Sequence, residues 1–180
     1  MEFDYIKTER LSLRKITPDV LAVVHRSYDD NMLIEFFGLK EPSELEREKH
    51  RFKKGMTTFN KTFLWFHLLI DGQNVGHCGY HTWYLDHART ELFYFFNSES
   101  YKGIGLMTEA LSAVIDYGFT QMQLHRIEAM TADYNLPSLK ILDKFGFVKE
   151  GVLRGHYLVD GVFEDSLVFA LLKHEYPKVK

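Results

Sequence analysis

A chain of 180 residues, 46% hydrophobic and 15% aromatic, can bury a sizeable core in one globular domain without disulfides. Its net charge of -3 supplies no general pull toward nucleic acid or an anionic membrane, and its single cysteine, Cys78, can close no internal disulfide, which fits a reducing compartment. The N-terminal MEFDYIKTER is charged where a secretory signal would be apolar, and no stretch reaches bilayer length, so the expectation is a cytoplasmic protein with no membrane and no direct nucleic-acid partner.

In chain order, Arg10-Leu11-Ser12-Leu13-Arg14 alternates as a half-buried strand, and Thr17-Pro18-Asp19 opens a helix that carries Val20, Val23, Val24 and Tyr28 on one face. A short apolar segment from Met32 to Phe37 ends near Gly38. Phe36 and Phe37 there either cover the core or line a substrate cleft, with the core the plainer reading. Ser43-x-x-Glu46 reads as a capping box for a helix over 44–54 that stops at Gly55, its mixed charges marking a solvated face. Thr62 to Ile70 and Val75 to Tyr84 read as strands joined at Asp71-Gly72. On the second strand His77 and His81 share a face but lie about 13 Å apart, too far to share a metal ion, and Cys78 faces the other way, so all three are expected to be structural.

After a turn at Asp86-His87, the stretch from Glu91 to Ala110 reads as strand, glycine turn and helix: aromatic residues to Phe96, then Lys102-Gly103-Ile104-Gly105, then an apolar stripe from Leu106 and Met107 to Ile115, ending around Tyr117-Gly118. Such a junction is either a plain tight turn or a cradle for a phosphate or pyrophosphate, because glycines admit close backbone approach and a helix N-terminus leaves donors unpaired. Arg126 to Met130 forms another strand. Asn135 caps a helix striped by Leu139, Leu142 and Phe145 and closed by Gly146, and residues from Phe147 to Leu172 form two strands joined through Asp160-Gly161. The order predicts an α/β chain with a mixed sheet and helices on its faces. A dinucleotide-binding fold would need a third glycine where Thr108 stands, and a P-loop would need Gly-Lys-Ser/Thr.

Four stretches in this order and spacing resemble the GNAT N-acetyltransferases, in particular the branch that acetylates N-termini of ribosomal proteins: TERLSLRKIT, ELFYFFNSESYKGIGLMTEAL, HRIEAMTADYNLPSLKILDKFGFVKEGVLR and YLVDGVFEDSLVFALLKHEY. The resemblance spans nearly the whole chain. It implies one N-acetyltransferase domain over 1–180, of α+β type, with a mostly antiparallel sheet and one splayed parallel strand pair. It also implies acetyl-CoA as donor, no metal, an amine acceptor that is a protein N-terminus or a small amine, and a monomer or homodimer.

The family signature Arg/Gln-x-x-Gly-x-Gly/Ala falls on Lys102, Gly103, Ile104, Gly105, Leu106 and Met107, with Thr108 next. Lys102 and Met107 depart from it. The resemblance further implies that the strand ending at Phe95-Phe96 splays near Ala129-Met130 and pairs with the pantetheine amides, and that Asn135 and Ser138 lie near the thioester. Acetyl transfer to an amine needs a base, a donor for the oxyanion and stabilisation of the departing thiolate. Glu91, among aromatics at the start of the central strand, is the expected base; the equal alternative is a carboxylate salt-bridged to Arg89 or another strand cation. Leu142 stands where some members carry an acidic tyrosine, leaving Ser138, water or an unprotonated thiolate. Phe37, His156 and Tyr157 are candidate acceptor contacts, the last two also readable as exposed strand polar residues. A small amine such as a polyamine or aminoglycoside, or a non-catalytic acyl-CoA-binding role, are the alternatives.

Overall fold

The computed structural model describes residues 2–55 and 61–177. One sheet organises them. Its strands are β1 (Tyr5–Lys7), β2 (Ser12–Ile16), β3 (Lys61–Ile70), β4 (Gln73–Tyr84), β5 (Arg89–Phe96), β6 (Arg126–Thr131), β7 (Val148–Val159) and β8 (Val162–Leu172), in the spatial order β1-β2-β3-β4-β5-β6-β8-β7. Every pairing is antiparallel except β5 with β6. The two Asp-Gly hairpin turns form as the sequence predicts, with positive φ at Asp71 and Gly72 and at Asp160 and Gly161.

Strand alternation sorts the apolar side chains into two cores, one per face. Ile16, Phe63, Trp65 and Phe93 pack beneath α1 (Pro18–Ser27), α2 (Asp30–Phe37) and α3 (Pro42–Lys54). Leu13, Leu64, Phe66, Cys78, Tyr80 and Leu92 pack beneath α4 (Leu106–Thr120) and share their cluster with Leu142 of α5 (Leu136–Lys144). Helices therefore cover both faces.

Four local readings change. In α1 the buried residues are Leu21 and Val24, while Val23 is exposed, so the face toward the sheet runs through Leu21 and Val24 rather than through Val23. The box that caps α3 is Glu41 with Glu44, not Ser43 with Glu46: the Glu44 carboxylate accepts from the N–H groups of Lys40 (2.7 Å) and Glu41 (3.2 Å), so the helix starts earlier. Strand β1, three residues long, is too short to leave an alternation. Helix α4 runs through Gly118 to Thr120. That glycine ends nothing: a β-carbon there would lie 2.4 Å from the Tyr80 hydroxyl, so it is a site of close packing.

Candidate active site

The sheet opens at one place. β5 and β6 pair in parallel only from Arg89 to Glu91 and from Arg126 to Glu128. Beyond that, β5 follows β4 as far as Phe96 and β6 follows β8 as far as Thr131. The two strands thus answer to different neighbours and part, leaving the β6-facing edge of Leu92–Phe96 unpaired in the ladder. A backbone edge of this kind can take an amide-bearing chain as an added strand.

At the top of this fork the chain turns into α4. Residues Glu99–Tyr101 form a short 3-10 turn, Lys102 pairs with Glu99 (2.5 Å), and Gly103 and Gly105 take φ of +76° and +84°. Gly105 is the N-cap of α4 and offers no side chain to it, so the first N–H groups of the helix stay available, at the positive end of its dipole. Met107 and Leu106 are buried, so their side chains turn into the core and leave this backbone clear. Thr108 is half-buried and Ile104 exposed.

Arg10 completes the turn. Its Nη1 donates to the Ile104 carbonyl (2.9 Å) and its Nε to the Glu109 carboxylate (2.7 Å), which also accepts from the Arg10 N–H (2.7 Å) and the Thr8 hydroxyl (2.6 Å). Burial pushes the Glu109 carboxyl up, but these bonds outweigh it and hold the group below the usual range. Arg10 and Glu109 are 99 positions apart, and only their meeting in the fold gives them a role. Two left-handed glycines, an uncapped helix N-terminus, a guanidinium against the turn and an open strand edge fit the pyrophosphate and amide chain of acetyl-CoA.

Below the turn, Glu91 points to the α1–α3 face. His81 lies directly opposite it on β4, with Nδ1 3.7 Å from the carboxylate. The β4–β5 register slips between His81 and Tyr84, and Thr82 takes a positive φ of 50°, rare for a β-branched residue. The Thr82 hydroxyl meets His81 Nδ1 at 2.9 Å, Thr90 donates to the His81 carbonyl (2.8 Å), and the His81 ring stacks on Phe93. Burial raises the Glu91 pKa, the negative charge of Glu128 raises it further, and His156 opposes both; burial also lowers the His81 pKa. Arg89 is engaged with Glu128 (3.1 Å), so the strand side chain that meets Glu91 is the His81 imidazole, which burial keeps toward its neutral form.

His156 and Tyr157 come to the same place from β7. The Tyr157 pKa is raised by burial and by the Glu91 charge, and His156 Nδ1 lies 3.1 Å from the Ser166 hydroxyl. Glu91, His156 and Tyr157 are therefore gathered, together with His81, which the sequence reading set aside as structural.

Ser138 lies toward the other face. Asn135 caps α5 by accepting from the Ser138 N–H (3.3 Å), and the nearby Tyr94 has its pKa raised by burial against an opposing influence of the Ser138 side chain. Leu142 is buried. Glu91 and the Ser138–Tyr94 pair thus flank β5 from opposite sides.

On the α1–α3 face, farther along β5, a cavity of about 360 Å³ is lined by Phe37, Trp65, His77, Phe93 and Phe95 and rimmed by Lys40, Arg47, Arg51, Glu44 and Glu48. Phe37 is both buried and cavity-lining, so the core and cleft readings meet in one side chain. Arg51 pairs with the buried Glu48 (3.2 Å), whose carboxyl is pushed up by burial. Among the described residues, His, Cys, Asp and Glu side chains form no cluster able to hold a metal ion, and no helix is long and apolar enough to cross a membrane.

Known proteins resemble this chain in sequence and fold. The uncharacterized N-acetyltransferase p20 of Bacillus licheniformis is 29% identical over 172 residues, covering 94% of this chain and 96% of that one. The spermidine N(1)-acetyltransferase of Escherichia coli K12 is 31% identical over 90 residues, about half of each chain. Mycobacterium smegmatis RimJ in complex with CoA-disulfide superposes with a TM-score of 0.66 at 25% identity, covering 97% of this chain and 90% of that one. The profile of the acetyltransferase (GNAT) domain matches residues 10–148, and the chain belongs to that family of acetyl-CoA-dependent N-acetyltransferases.

Proposed function

We propose that this protein transfers an acetyl group to the α-amine of a protein or peptide N-terminus. Acetyl-CoA supplies the activated acetyl thioester; the rest falls to residues of the chain. The backbone from Gly103 to Thr108 and the Arg10 guanidinium hold the pyrophosphate, the free edge from Leu92 to Phe96, ending at Phe95-Phe96, holds the pantetheine amides, and Asn135 fixes the α5 turn that presents Ser138. Glu91 Oε accepts the amine proton, directly or through one water. On the other side of the strand the Ser138 hydroxyl donates a hydrogen bond to the departing thiolate, which takes its proton from water.

The observation that carries this reading is the setting of Glu91: half-buried, its pKa raised, and on the same face as an aromatic cleft with a rim of mixed charge. A free α-amine, with a pKa of about 8 against about 10.4 for a lysine side chain, asks little of such a base. The rim pairs Arg47 with Glu44 and Arg51 with Glu48, so it carries little net charge to attract a polycation, whereas its aromatic walls suit a peptide side chain. Phe37 lines that cleft, and His156 and Tyr157 contact the acceptor beside Glu91.

A small polyamine is the second reading, supported by the likeness to a spermidine acetyltransferase over half the chain. Release of free thiol from acetyl-CoA separates the two. Peptides with free N-termini should be turned over with kcat/KM at least about tenfold above spermidine. A preference for spermidine would overturn the reading, and thermal stabilisation by acetyl-CoA with no turnover of any amine would point to a binding protein.

A further inference from the structure

Register sorts the side chains on the α1–α3 face into rows across the sheet. His81 of β4 stands beside Glu91 of β5. In the next row Trp65 of β3, Gly79 of β4 and Phe93 of β5 stand together, and in the row after it His67, His77 and Phe95. Successive rows on one face lie about 7 Å apart, so the aromatic cavity begins one row from Glu91. Gly79 shapes that first row. A β-carbon there would lie 2.4 Å from the Trp65 α-carbon; without one, the Trp65 and Phe93 rings meet edge to face across the strand, their centroids 5.8 Å apart.

The interior of the cavity is apolar and carries no charge at neutral pH. His77 stacks on Phe95 (4.8 Å) and meets the Phe37 carbonyl (3.2 Å), and burial keeps it neutral, its pKa pushed down to about 4. At the far end Asn97 donates to the carbonyls of Gly38 (3.3 Å) and Asn74 (3.1 Å), joining the end of α2 to the sheet. The charges stand at the rim and are met there: Arg47 lies 3.8 Å from Glu44 and Arg51 lies 3.2 Å from Glu48. At about 360 Å³ the cavity is at the small end of ordinary ligand pockets, roughly 300–1,000 Å³. It has room for one large side chain and not for a folded segment.

We infer that this cavity selects the first residue of the acceptor, taking a large uncharged side chain, aromatic or long aliphatic, over a small or charged one. The inference rests on the reading of Glu91 as the base for an N-terminal amine. From an amine held at Glu91 two branches lead away, the first side chain and the peptide backbone. The backbone carries N–H and C=O groups that aromatic walls leave without partners, so it runs toward His156 and Tyr157, which are polar and exposed on β7. The side chain takes the cavity. An alanine methyl ends short of the Phe93 row, and a charged group gives up its hydration for walls that hold no counter-ion. A phenylalanine, leucine or methionine covers the rings of Phe37, Trp65, Phe93 and Phe95 and leaves water.

Peptides of one sequence that differ only in their first residue test this, with free thiol released from acetyl-CoA as the readout. Those beginning with Phe, Leu or Met should be turned over with kcat/KM at least about thirtyfold above those beginning with Ala, Ser, Asp or Lys. Leu39→Trp, which narrows the cavity from just past the end of α2, should bring the Phe and Ala peptides within about threefold of each other while CoA affinity holds. Equal turnover of Phe and Ala peptides by the wild type overturns the inference and leaves the N-terminal reading standing, as does a preference for an acidic or basic first residue. Turnover of no peptide overturns both. A Leu39→Trp protein whose loss lies in CoA affinity assigns the cavity to the cofactor and overturns the inference as well. Should that variant not fold, the wild-type series decides alone.

Discussion

Glu91 and Glu128 stand directly opposite each other in the three-residue parallel ladder between β5 and β6, and only Glu128 has arginine partners: Arg89 at 3.1 Å and Arg126 at 2.9 Å. Arg126 reaches on to Glu150 (2.8 Å), so Glu128 belongs to a fixed charge ladder while Glu91 faces His81 and the acceptor side. The fold thus places a pinned negative charge beside the carboxylate expected to act as base, with the effect of making Glu91 a stronger proton acceptor than a solvated carboxylate.

This relationship has a direct consequence for pH dependence. Glu91 must be ionised to accept a proton, so activity should fall as pH drops through its raised pKa. Replacing Glu128 with Gln removes one of the causes that raise it and releases Arg89 and Arg126, so the acid limb of kcat/KM should move to lower pH. An unmoved or upward-shifted limb would show that Glu128 does not tune this group.

The cofactor turn gives a second expectation. Arg10→Ala removes the donor to the Ile104 carbonyl and the partner of Glu109, and should weaken CoA binding about tenfold while the helix itself remains. Gly105→Ala should weaken it too, since an alanine at φ +84° costs about 1 kcal/mol and its β-carbon would lie 3.4 Å from Arg10 Nη2. Isothermal titration with CoA measures both. Unchanged affinity in Arg10→Ala would leave Arg10 a purely structural link.

Ser138→Ala should lower kcat and leave the KM for acetyl-CoA nearly unchanged, because the Ser138 N–H, not its hydroxyl, binds the Asn135 cap. Tyr94→Phe should give a smaller loss in the same parameter. Steady-state kinetics that instead show a KM effect alone would assign Ser138 to binding.

Much of the fold and part of the site are legible in the sequence. The two Asp-Gly hairpins, the Asn135 cap and the strand-turn-helix around Gly103 and Gly105 are local, each set by residues within a few positions. What is not legible depends on distant partners. Arg10 reads as a polar strand residue until Glu109 reaches it. His81 reads as structural because the bulge that sets it beside Thr82 has no local composition signal, and Gly118 resembles a helix stop because its partner Tyr80 lies on another element. The charge ladder from Arg89 to Glu150 crosses β5, β6 and β7, and alternation in one strand cannot announce it.

Buried histidines set the acid stability. Arg14 donates to His67 Nδ1 (2.8 Å) and to the Phe36 carbonyl (3.0 Å), and His77 Nε2 meets the Phe37 carbonyl (3.2 Å). His67 is held well below its ordinary value by burial, its His77 neighbour and Arg14, and His77 is pushed down to about 4, chiefly by burial. Both stay neutral in the folded chain but take up protons once unfolded. Stability should therefore be complete above pH 6.5 and fall as pH drops from there toward 4, with His77 alone accounting for on the order of 3 kcal/mol. Urea unfolding across that window measures it, and a flat profile would contradict the account.

The most direct test of the account is the pH profile of acetyl transfer to a peptide α-amine by the wild type and by Glu91→Gln. The wild type should show an acid limb above the range of a solvated carboxylate. The variant should lose that limb and about a hundredfold in kcat at neutral pH, with CoA affinity within a factor of about two of wild type. Full turnover in Glu91→Gln, with the acid limb intact, would remove Glu91 as the base.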